Sequence, residues 1–308
     1  MEYLMLVGGL FGLFFGGEAL VRGSVGIARR LSMSSLLIGL TVVGFGTSTP
    51  ELLVSLDAAL RGVPDIALGN VVGSNIANIL LIVGISALIW PIVVSGGTLG
   101  RDTAVMLGAA IVLIPFFAMG TLGRVVGGLM FAGLVVYLVI AYRQSRSAPS
   151  DPEDQGGMPQ TTTNLWGALF WVVAGLAMLM FGARFLVDGA VTIARTFGIS
   201  EAFIGLTIVA VGTSLPELAT SLIAALRKQS EIAIGNIVGS NIFNILGILG
   251  LTAIVTPVPV AQRFVTFDLP VMIAVTLVLT VLLRRAEISR VTGGVMLVAY
   301  GAYVWAAQ

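Results

Sequence analysis

Two glutamates, Glu51 and Glu217, lie in the middle of long apolar stretches of the sequence. A carboxylate is costly at membrane depth, so a residue of this kind usually serves function. Each glutamate ends a copy of one motif, GTSTPE from Gly46 and GTSLPE from Gly212. The spacing places two hydroxyls beside each carboxylate on one helical face, from Thr47, Ser48, Thr213 and Ser214. Oxygen groups of this type suit a hard cation such as Ca²⁺ or Na⁺.

A proline precedes each glutamate, at Pro50 and Pro216. Proline donates no backbone hydrogen bond and clashes with the carbonyl four residues earlier, so it frees carbonyl groups around Gly46 and Gly212. Those oxygens need a partner where water is absent. The motif therefore predicts a helix that is broken at the glutamate and offers backbone oxygens to an ion.

A second repeated motif places Ser74 and Asn78 four residues apart, with Ser240 and Asn244 as its copy. Gly69 and Gly73, like Gly235 and Gly239 in the second copy, form a GxxxG pattern that lets helix backbones approach closely. We expect this motif to lie against the broken helices and complete a dry cage of two carboxylates, hydroxyls, amides and carbonyls. The serines and asparagines also suit a purely structural role as hydrogen-bonding groups between helices.

The elements that must position these residues are membrane helices. Of 308 residues 57% are hydrophobic and 10% are charged, against about 25% charged in soluble domains. Ten segments are apolar enough to span a bilayer, and none alternates as a β-barrel strand does. They lie near 3–21, 35–60, 66–90, 103–119, 124–142, 164–187, 201–226, 231–256, 265–283 and 288–305. The absence of cysteine and histidine argues against zinc, copper and redox sites, and no cofactor is expected.

The chain is an internal duplication. Residues 37–78 and 203–244 share 27 identities in 42 positions, and Glu217 minus Glu51 gives the same offset, 166, as Asn244 minus Asn78. Five helices per copy is an odd number, so the second copy enters the membrane from the opposite side. We predict an all-α integral membrane protein of ten helices in two inverted five-helix repeats, 1–142 and 165–308, joined by a polar cytoplasmic linker, 143–164. Inverted repeats are typical of secondary transporters, with the substrate site at the repeat interface.

At these motifs the chain resembles the cation/Ca²⁺ antiporter superfamily, and specifically the prokaryotic sodium/calcium exchanger type. The resemblance implies alternating access, in which helices 1 and 6 slide past the other helices. It also implies that Glu51 and Glu217 are the main Ca²⁺ ligands, together with the carbonyls of Thr47 and Thr213. The implied Na⁺ ligands are Ser48, Ser214, Ser74, Ser240 and the carbonyls of Gly44 and Ala210, while Asn78 and Asn244 match the remaining polar positions.

The sequence leaves two alternatives for the ion that is exchanged for Ca²⁺, Na⁺ and H⁺. Many sodium/calcium exchangers have Asp where Asn244 stands, and Asn in both halves is similar to cation/proton branches of the superfamily. An amide does not titrate, so proton coupling would have to use the two glutamates. An H⁺/Ca²⁺ antiporter is therefore the nearest alternative, and a gated cation channel is an alternative of another class. The sequence has no histidine, no evident pairing of a nucleophile with a base and no phosphate-binding loop, so we do not expect an enzyme.

The distribution of positive charge predicts the orientation. With the N-terminus outside, eleven of the sixteen Lys and Arg face the cytoplasm and five face outside. The positive-inside rule then places both termini outside and the central linker in the cytoplasm. We expect a multi-pass protein of a prokaryotic inner membrane whose partners are Ca²⁺, Na⁺ and lipid, with no nucleic acid and no obligate protein partner.

Overall fold

The computed structural model describes residues 2–31, 33–93, 99–147, 164–197, 210–285 and 287–307. The α-helices, α1 to α15 in chain order, are Glu2–Leu31, Ser35–Ile38, Gly44–Thr47, Thr49–Leu60, Pro64–Ala77, Val83–Ile89, Leu99–Ala118, Arg124–Ser147, Leu165–Thr196, Ala210–Thr213, Leu215–Leu226, Ser230–Ile242, Gly250–Val255, Leu269–Arg284 and Arg290–Ala306. Turns of π-helix occupy Gly39–Val43, Asn78–Ile82, Phe243–Leu249 and Phe264–Asp268. Four strands of two residues each, β1 to β4, are Ile92–Val93, Thr121–Leu122, Val258–Pro259 and Glu287–Ile288.

The chain is an all-helical membrane protein. Seven continuous helices in the described part of the chain are long and apolar enough to cross a bilayer, and three of them, Pro64–Ile89, Ser230–Val255 and Phe264–Arg284, include a π-helical turn. An eighth span results if the pair Ser35–Thr47 and Thr49–Leu60, bent by 44°, is taken as one broken helix. The helix α11 is apolar but has only 12 residues, and α15 has 17. Predicted residues 201–209 of the seventh segment lie outside the described ranges.

The chain divides into two compact units, each of which contains residues from both sequence halves. Unit 1 comprises Met1–Thr47 and Val139–Asn236, and unit 2 comprises Ser48–Leu138 and Ile237–Gln308. These units are defined by packing and do not coincide with the predicted repeats, 1–142 and 165–308. The division into repeats therefore stays a prediction from the sequence. Helix α8 extends into the predicted linker, 143–164, as far as Ser147, and residues 148–163 lie outside the described part of the chain.

The centre of unit 1 is a close pairing of α1 with α9. Glycines recur every seven residues on both helices, at Gly9, Gly16 and Gly23 of α1 and at Gly175, Gly182 and Gly189 of α9. A Cβ atom built on Gly16 would lie 2.8 Å from the Leu179 nitrogen, and one on Gly175 would lie 2.5 Å from the Leu20 nitrogen. Only glycine permits this backbone contact, which small residues commonly provide between membrane helices.

Helices α1 and α9 are longer than the sequence analysis predicts. The predicted segments end near residues 21 and 187, next to Arg22 and Asp188, whereas the helices continue to Leu31 and Thr196. Each charge has a local partner. The Arg22 guanidinium lies 5.0 Å from the centre of the Trp171 ring, an arrangement that is favourable for a cation, and the Asp188 carboxylate lies 3.7 Å from Arg184. Charged residues therefore mark no helix end here.

Unit 1 also links α1 to α11. A Cβ on Gly17 would contact Ile223 and Ala219 of α11. The Arg227 guanidinium, just after α11, donates to both carboxylate oxygens of Glu18, at 2.9 and 2.6 Å. In addition, Gly235 of α12 packs on Leu36 and Gly39, with a built Cβ 2.8 Å from the Leu36 oxygen. The close approach predicted for GxxxG glycines is thus seen at Gly235.

Unit 2 is a set of packed helix pairs. Helices α6 and α15 approach through Gly84 and Gly293, and α8 and α13 through Gly127 and Gly250. Strand β1 pairs antiparallel with β4, and β2 pairs antiparallel with β3, which ties the turns between helices together. Among the described residues, no comparably close approach occurs at Gly69 or Gly73, whose built Cβ atoms meet Phe264 at 3.9 Å and nothing within 4 Å, respectively.

Candidate ion-binding site

In unit 1 the helix that carries Glu217 is broken as predicted. Helix α10 ends at Thr213, α11 begins at Leu215, and Ser214 between them has φ −90° and ψ 7°. The Ser214 amide donates to the Val211 oxygen at 3.1 Å. Glu217 lies in the first turn of α11 and is fully buried. The positive end of the helix dipole therefore stabilises a negative charge on this carboxylate.

Asn236 of α12 joins three helices of unit 1. Its Nδ2 donates to the Glu217 backbone oxygen at 3.3 Å and to Ser221 Oγ at 2.9 Å. Its Oδ1 accepts from Thr47 Oγ1 at 3.1 Å, and Thr47 Oγ1 also lies 3.3 Å from the Gly44 oxygen. Thr47 and Glu217, predicted ligands from different sequence repeats, are therefore brought together through one amide.

Unit 2 repeats this arrangement around Glu51. Ser48 has φ −82° and ψ 9°, close to the values of Ser214, and Glu51 follows in the first turn of α4 with 1% exposure. Asn70 Nδ2 donates to the Glu51 backbone oxygen at 2.9 Å and to Ser55 Oγ at 2.9 Å. Asn70 and Ser55 precede Asn236 and Ser221 by 166 residues. The duplicated sequence thus produces a duplicated carboxylate support.

The two further predicted amides differ in their contacts, although both lie in unit 2. Asn78 Nδ2 donates to Asn241 Oδ1 at 3.1 Å, and Asn241 Nδ2 donates to Met106 Sδ at 3.6 Å. For Asn244, neither amide atom has a hydrogen-bond partner in the described part of the chain. Both residues lie in turns of π-helix, Asn78–Ile82 and Phe243–Leu249. Such turns occur frequently at functional sites.

The twelve predicted ligand positions divide equally between the units. Unit 1 holds Gly44, Thr47, Ala210, Thr213, Ser214 and Glu217, and unit 2 holds Ser48, Glu51, Ser74, Asn78, Ser240 and Asn244. The side chains described for these positions are buried, except that Thr213 is half-buried. That all twelve surround one site stays a prediction from the repeat.

A cation bound by the predicted ligands of either unit would be coordinated mainly by neutral oxygen atoms. No group of three or more His, Cys, Asp or Glu side chains that could hold a metal occurs among the residues that the structure describes. One carboxylate lies in each set, accompanied by hydroxyl, amide and carbonyl groups. This composition is typical of sites for Na⁺ and Ca²⁺, since both prefer oxygen.

Sequence reasoning missed a second pair of buried acids, Asp102 and Asp268. Tyr137 donates to Asp102 Oδ1 at 3.2 Å, and Tyr303 donates to Asp268 Oδ1 at 3.0 Å. Arg101 pairs with Asp102, and Arg263 pairs with Asp268. The Asp and Tyr positions each recur at the offset of 166, which was the available signal. The Asp102–Tyr137 bond joins α7 to α8, and the Asp268–Tyr303 bond joins the π-helical turn before α14 to α15, so both stabilise the helical scaffold of unit 2.

Known proteins resemble the chain over nearly its full length. The family model described as sodium/calcium exchanger protein matches residues 1–143 and 167–307. CaxA, a candidate antiporter of Alkalimonas amylolytica, is 43% identical over 303 residues, covering 96% of this chain and 95% of its own. The sodium/calcium exchanger MaX1 of Methanosarcina acetivorans is 33% identical, covering 99% and 97%. A solved structure of the sodium-calcium exchanger NCX_Mj, soaked with Na⁺ and Ca²⁺, has a TM-score of 0.86 and 32% identity, covering 100% of this chain and 98% of that one.

Proposed function

This chain belongs to the sodium/calcium exchanger protein family, and from that membership we propose that it is a secondary-active antiporter exchanging Ca²⁺ for Na⁺ by alternating access. The observation that carries the proposal is the duplicated carboxylate support. Glu51 and Glu217 each stand in the first turn of a helix that begins after a break, each is buried, and each has its backbone oxygen held by an asparagine.

Charge balance explains why such a protein exchanges ions. We propose that Glu51 and Glu217 together hold one Ca²⁺, because two negative charges neutralise one divalent cation. The same carboxylates would balance Na⁺ ions instead, one charge at a time. Two buried carboxylates without a cation are energetically costly. The loaded forms are therefore the ones that rearrange across the membrane, and each ion leaves only when another replaces it.

The remaining predicted ligands divide into those for Ca²⁺ and those for Na⁺. We propose that the carbonyls of Thr47 and Thr213 complete the Ca²⁺ shell, which takes about six to eight oxygens. The proposed Na⁺ ligands are Ser48, Ser214, Ser74, Ser240 and the carbonyls of Gly44 and Ala210, with Asn78 and Asn244 as further polar ligands. The burial of Ser48, Ser214, Ser74 and Ser240 supports this assignment, because hydroxyls in a dry site replace hydration water.

One observation favours a second candidate, an H⁺/Ca²⁺ antiporter with the same site. Asn occupies both matched positions, Asn78 and Asn244. With two carboxylates in place of three, fewer negative charges are available to balance several Na⁺ ions. Protons would then be carried by Glu51 and Glu217 themselves.

The wider architecture belongs to the same proposal. We propose ten membrane helices in two inverted repeats, in a prokaryotic inner membrane, with both termini outside. In support, each of the ten predicted segments contains helix in the described ranges. A relative that is 35% identical over 99% of this chain is the inner membrane protein YrbG of Escherichia coli. No enzymatic reaction, cofactor, nucleic acid or obligate protein partner is part of the proposal.

Flux measurements in proteoliposomes test the proposal. We expect ⁴⁵Ca²⁺ uptake to require an outward Na⁺ gradient, and Glu51→Gln and Glu217→Gln each to abolish it because half of the balancing charge is lost. Asp57→Asn is the matched control, since that carboxylate is exposed and pairs with Arg61 at 2.7 Å. Uptake driven only by a pH gradient would select the proton antiporter. Uptake without any counter-ion gradient, or full activity of either glutamine variant, would contradict the assignment.

A further inference from the structure

Three buried side chains of unit 2 form a hydrogen-bonded chain, here called the amide relay: Asn78, Asn241 and Met106. Asn78 Nδ2 donates to Asn241 Oδ1 at 3.1 Å, and Asn241 Nδ2 donates to Met106 Sδ at 3.6 Å. The exposed fraction is 1% for each asparagine and 0% for Met106. The relay joins helices α7 and α12 to the end of α5.

The sulfur atom gives the relay a direction. A thioether accepts a hydrogen bond but has none to donate, so Asn241 must turn its NH₂ group towards Met106. The Asn241 Oδ1 atom then faces Asn78, so Asn78 must donate from its own NH₂ group. The Asn78 Oδ1 atom is consequently the end that points away from the relay. This oxygen is buried and has no hydrogen-bond partner among the residues that the structure describes.

The free oxygen lies on the helix face that serves Glu51. Asn70, Ser74 and Asn78 follow one another at intervals of four residues on α5 and its π-helical extension. Residues at this spacing share one face, and Asn70 at the start of this row holds the Glu51 backbone oxygen. We infer that Met106, acting through Asn241, is a positioning residue that presents the Asn78 carbonyl oxygen, and not its NH₂ group, to a transported cation. The inference rests on the proposed function.

The positions related by the duplication carry the same three residue types but do not form the relay. Asn244 and Met272 follow Asn78 and Met106 by 166 residues, and Asn75 precedes Asn241 by 166 residues. Asn75 Nδ2 donates instead to the Val71 oxygen of its own helix at 2.6 Å. Neither atom of the Asn244 amide has a hydrogen-bond partner in the described ranges. The orientation of the Asn78 amide is therefore fixed by its neighbours, whereas no hydrogen bond from a described residue fixes that of the Asn244 amide.

This difference supplies a matched control within the same chain. Met106 and Met272 are both fully buried, and replacement of Met by Leu conserves volume. Met106→Leu removes the acceptor that orients the relay, while Met272→Leu changes packing alone. We expect Met106→Leu to raise the apparent KM for Ca²⁺, Na⁺ or both about three- to tenfold, the range of one lost hydrogen bond. The maximal rate should stay within about twofold, and Met272→Leu should leave KM within about twofold.

A rescue variant separates orientation from packing. Met106→Gln restores an acceptor at a similar distance along the side chain, so KM should return towards the wild-type value. If Met106→Leu does not fold, Asn241→Ala against Asn75→Ala makes the same comparison, with KM raised only in the first. Wild-type exchange with equal KM values for the two leucine variants would overturn the inference and leave the proposed function standing. Absence of exchange in the wild-type protein would instead overturn the proposed function.

Discussion

Among single residues, Asn70 and Asn236 are the side chains that connect the two proposed ion-binding carboxylates, Glu51 and Glu217, to the scaffold. Each donates from Nδ2 to the backbone oxygen of a glutamate and to a serine hydroxyl one turn further along that helix. Asn236 also accepts from Thr47 Oγ1. Each glutamate lies in the first turn of its helix, and its carbonyl oxygen has two lone pairs, so it can accept this bond in addition to one within the helix. These amides therefore hold the broken helices in the conformation that the carboxylates require.

Replacement of Asn236 should destabilise the protein. Asn236→Leu removes the partner of three buried groups, and leaving buried polar groups unsatisfied costs about 1–3 kcal/mol of the free energy of unfolding. Thermal unfolding in detergent micelles measures the change. Asn75→Leu is the control, because the described hydrogen bond of its side chain is to Val71 within its own helix. A loss no larger than that of the control would show that Asn236 does not support the Glu217 segment.

The sequence alone predicted the acidic residues better than their supports. A carboxylate in an apolar stretch, repeated at a fixed offset, is a signal within a single segment, so Glu51 and Glu217 and their buried positions could be anticipated. The partners of Asn236 and Asn241 come from helices distant in the sequence, such as α3 and α7. Spacing within one helix carries no information about such partners. Asp102 and Asp268 were missed for a different reason, because they stand near predicted helix ends.

At the scale of elements, the pairing of α1 with α9 depends on glycine. The GxxxG glycines beside the asparagines were predicted to give close helix contacts, whereas the tightest backbone contacts in unit 1 involve glycines spaced by seven on α1 and α9. A spacing of seven keeps one narrow seam of each helix against its partner. The resemblance to the antiporter superfamily implies that the first and sixth predicted membrane helices, which are α1 and α9, slide past the others. The α1–α9 seam would keep these two helices together during that movement.

A pair of neighbouring glycines tests the seam. Gly9→Ala would place Cβ 2.6 Å from the Leu186 nitrogen, whereas a Cβ on Gly8 has nothing within 4 Å. We expect Gly9→Ala to lower the free energy of unfolding by about 1–3 kcal/mol, as overpacking does. Gly8→Ala should be neutral or slightly stabilising, because alanine favours helix. Unfolding in detergent, followed by circular dichroism, compares the two, and equal effects would argue against a close α1–α9 seam.

The π-helical turns show what helical periodicity cannot predict. Such a turn inserts one residue into a helix and rotates every later side chain about the helix axis. The turns at Asn78–Ile82 and Phe243–Leu249 begin within one residue of matched positions in the two repeats. The length of the apolar stretches predicted both helices, but neither turn has a composition that distinguishes it from α-helix.

At the scale of the whole molecule, duplication explains why each unit has its own carboxylate. The second repeat supplies Glu217 to unit 1, and the first supplies Glu51 to unit 2. The sequence predicted two halves that follow one another, while the packing groups residues of both halves in each unit. Length and composition could not reveal this exchange, because it depends on which helix faces pack together.

Single cysteines test the predicted orientation, since the natural chain contains none. Gln155→Cys lies in the predicted cytoplasmic linker, and Val63→Cys lies in the turn before α5, where Val63 is 42% exposed. In intact cells, a maleimide that does not cross membranes should label residue 63 and not residue 155, and inverted membrane vesicles should show the reverse. Labelling of both residues from the same side would contradict the predicted topology.

The most direct test of the account is a crystal structure of the protein grown with Ca²⁺, in which anomalous scattering locates the ion. We predict one Ca²⁺ coordinated by carboxylate oxygens of both Glu51 and Glu217, at about 2.3–2.6 Å. The same peak should be absent from crystals of Glu51→Gln and of Glu217→Gln. Carboxylates too far apart to share an ion, or a Ca²⁺ peak bound without either glutamate, would contradict it.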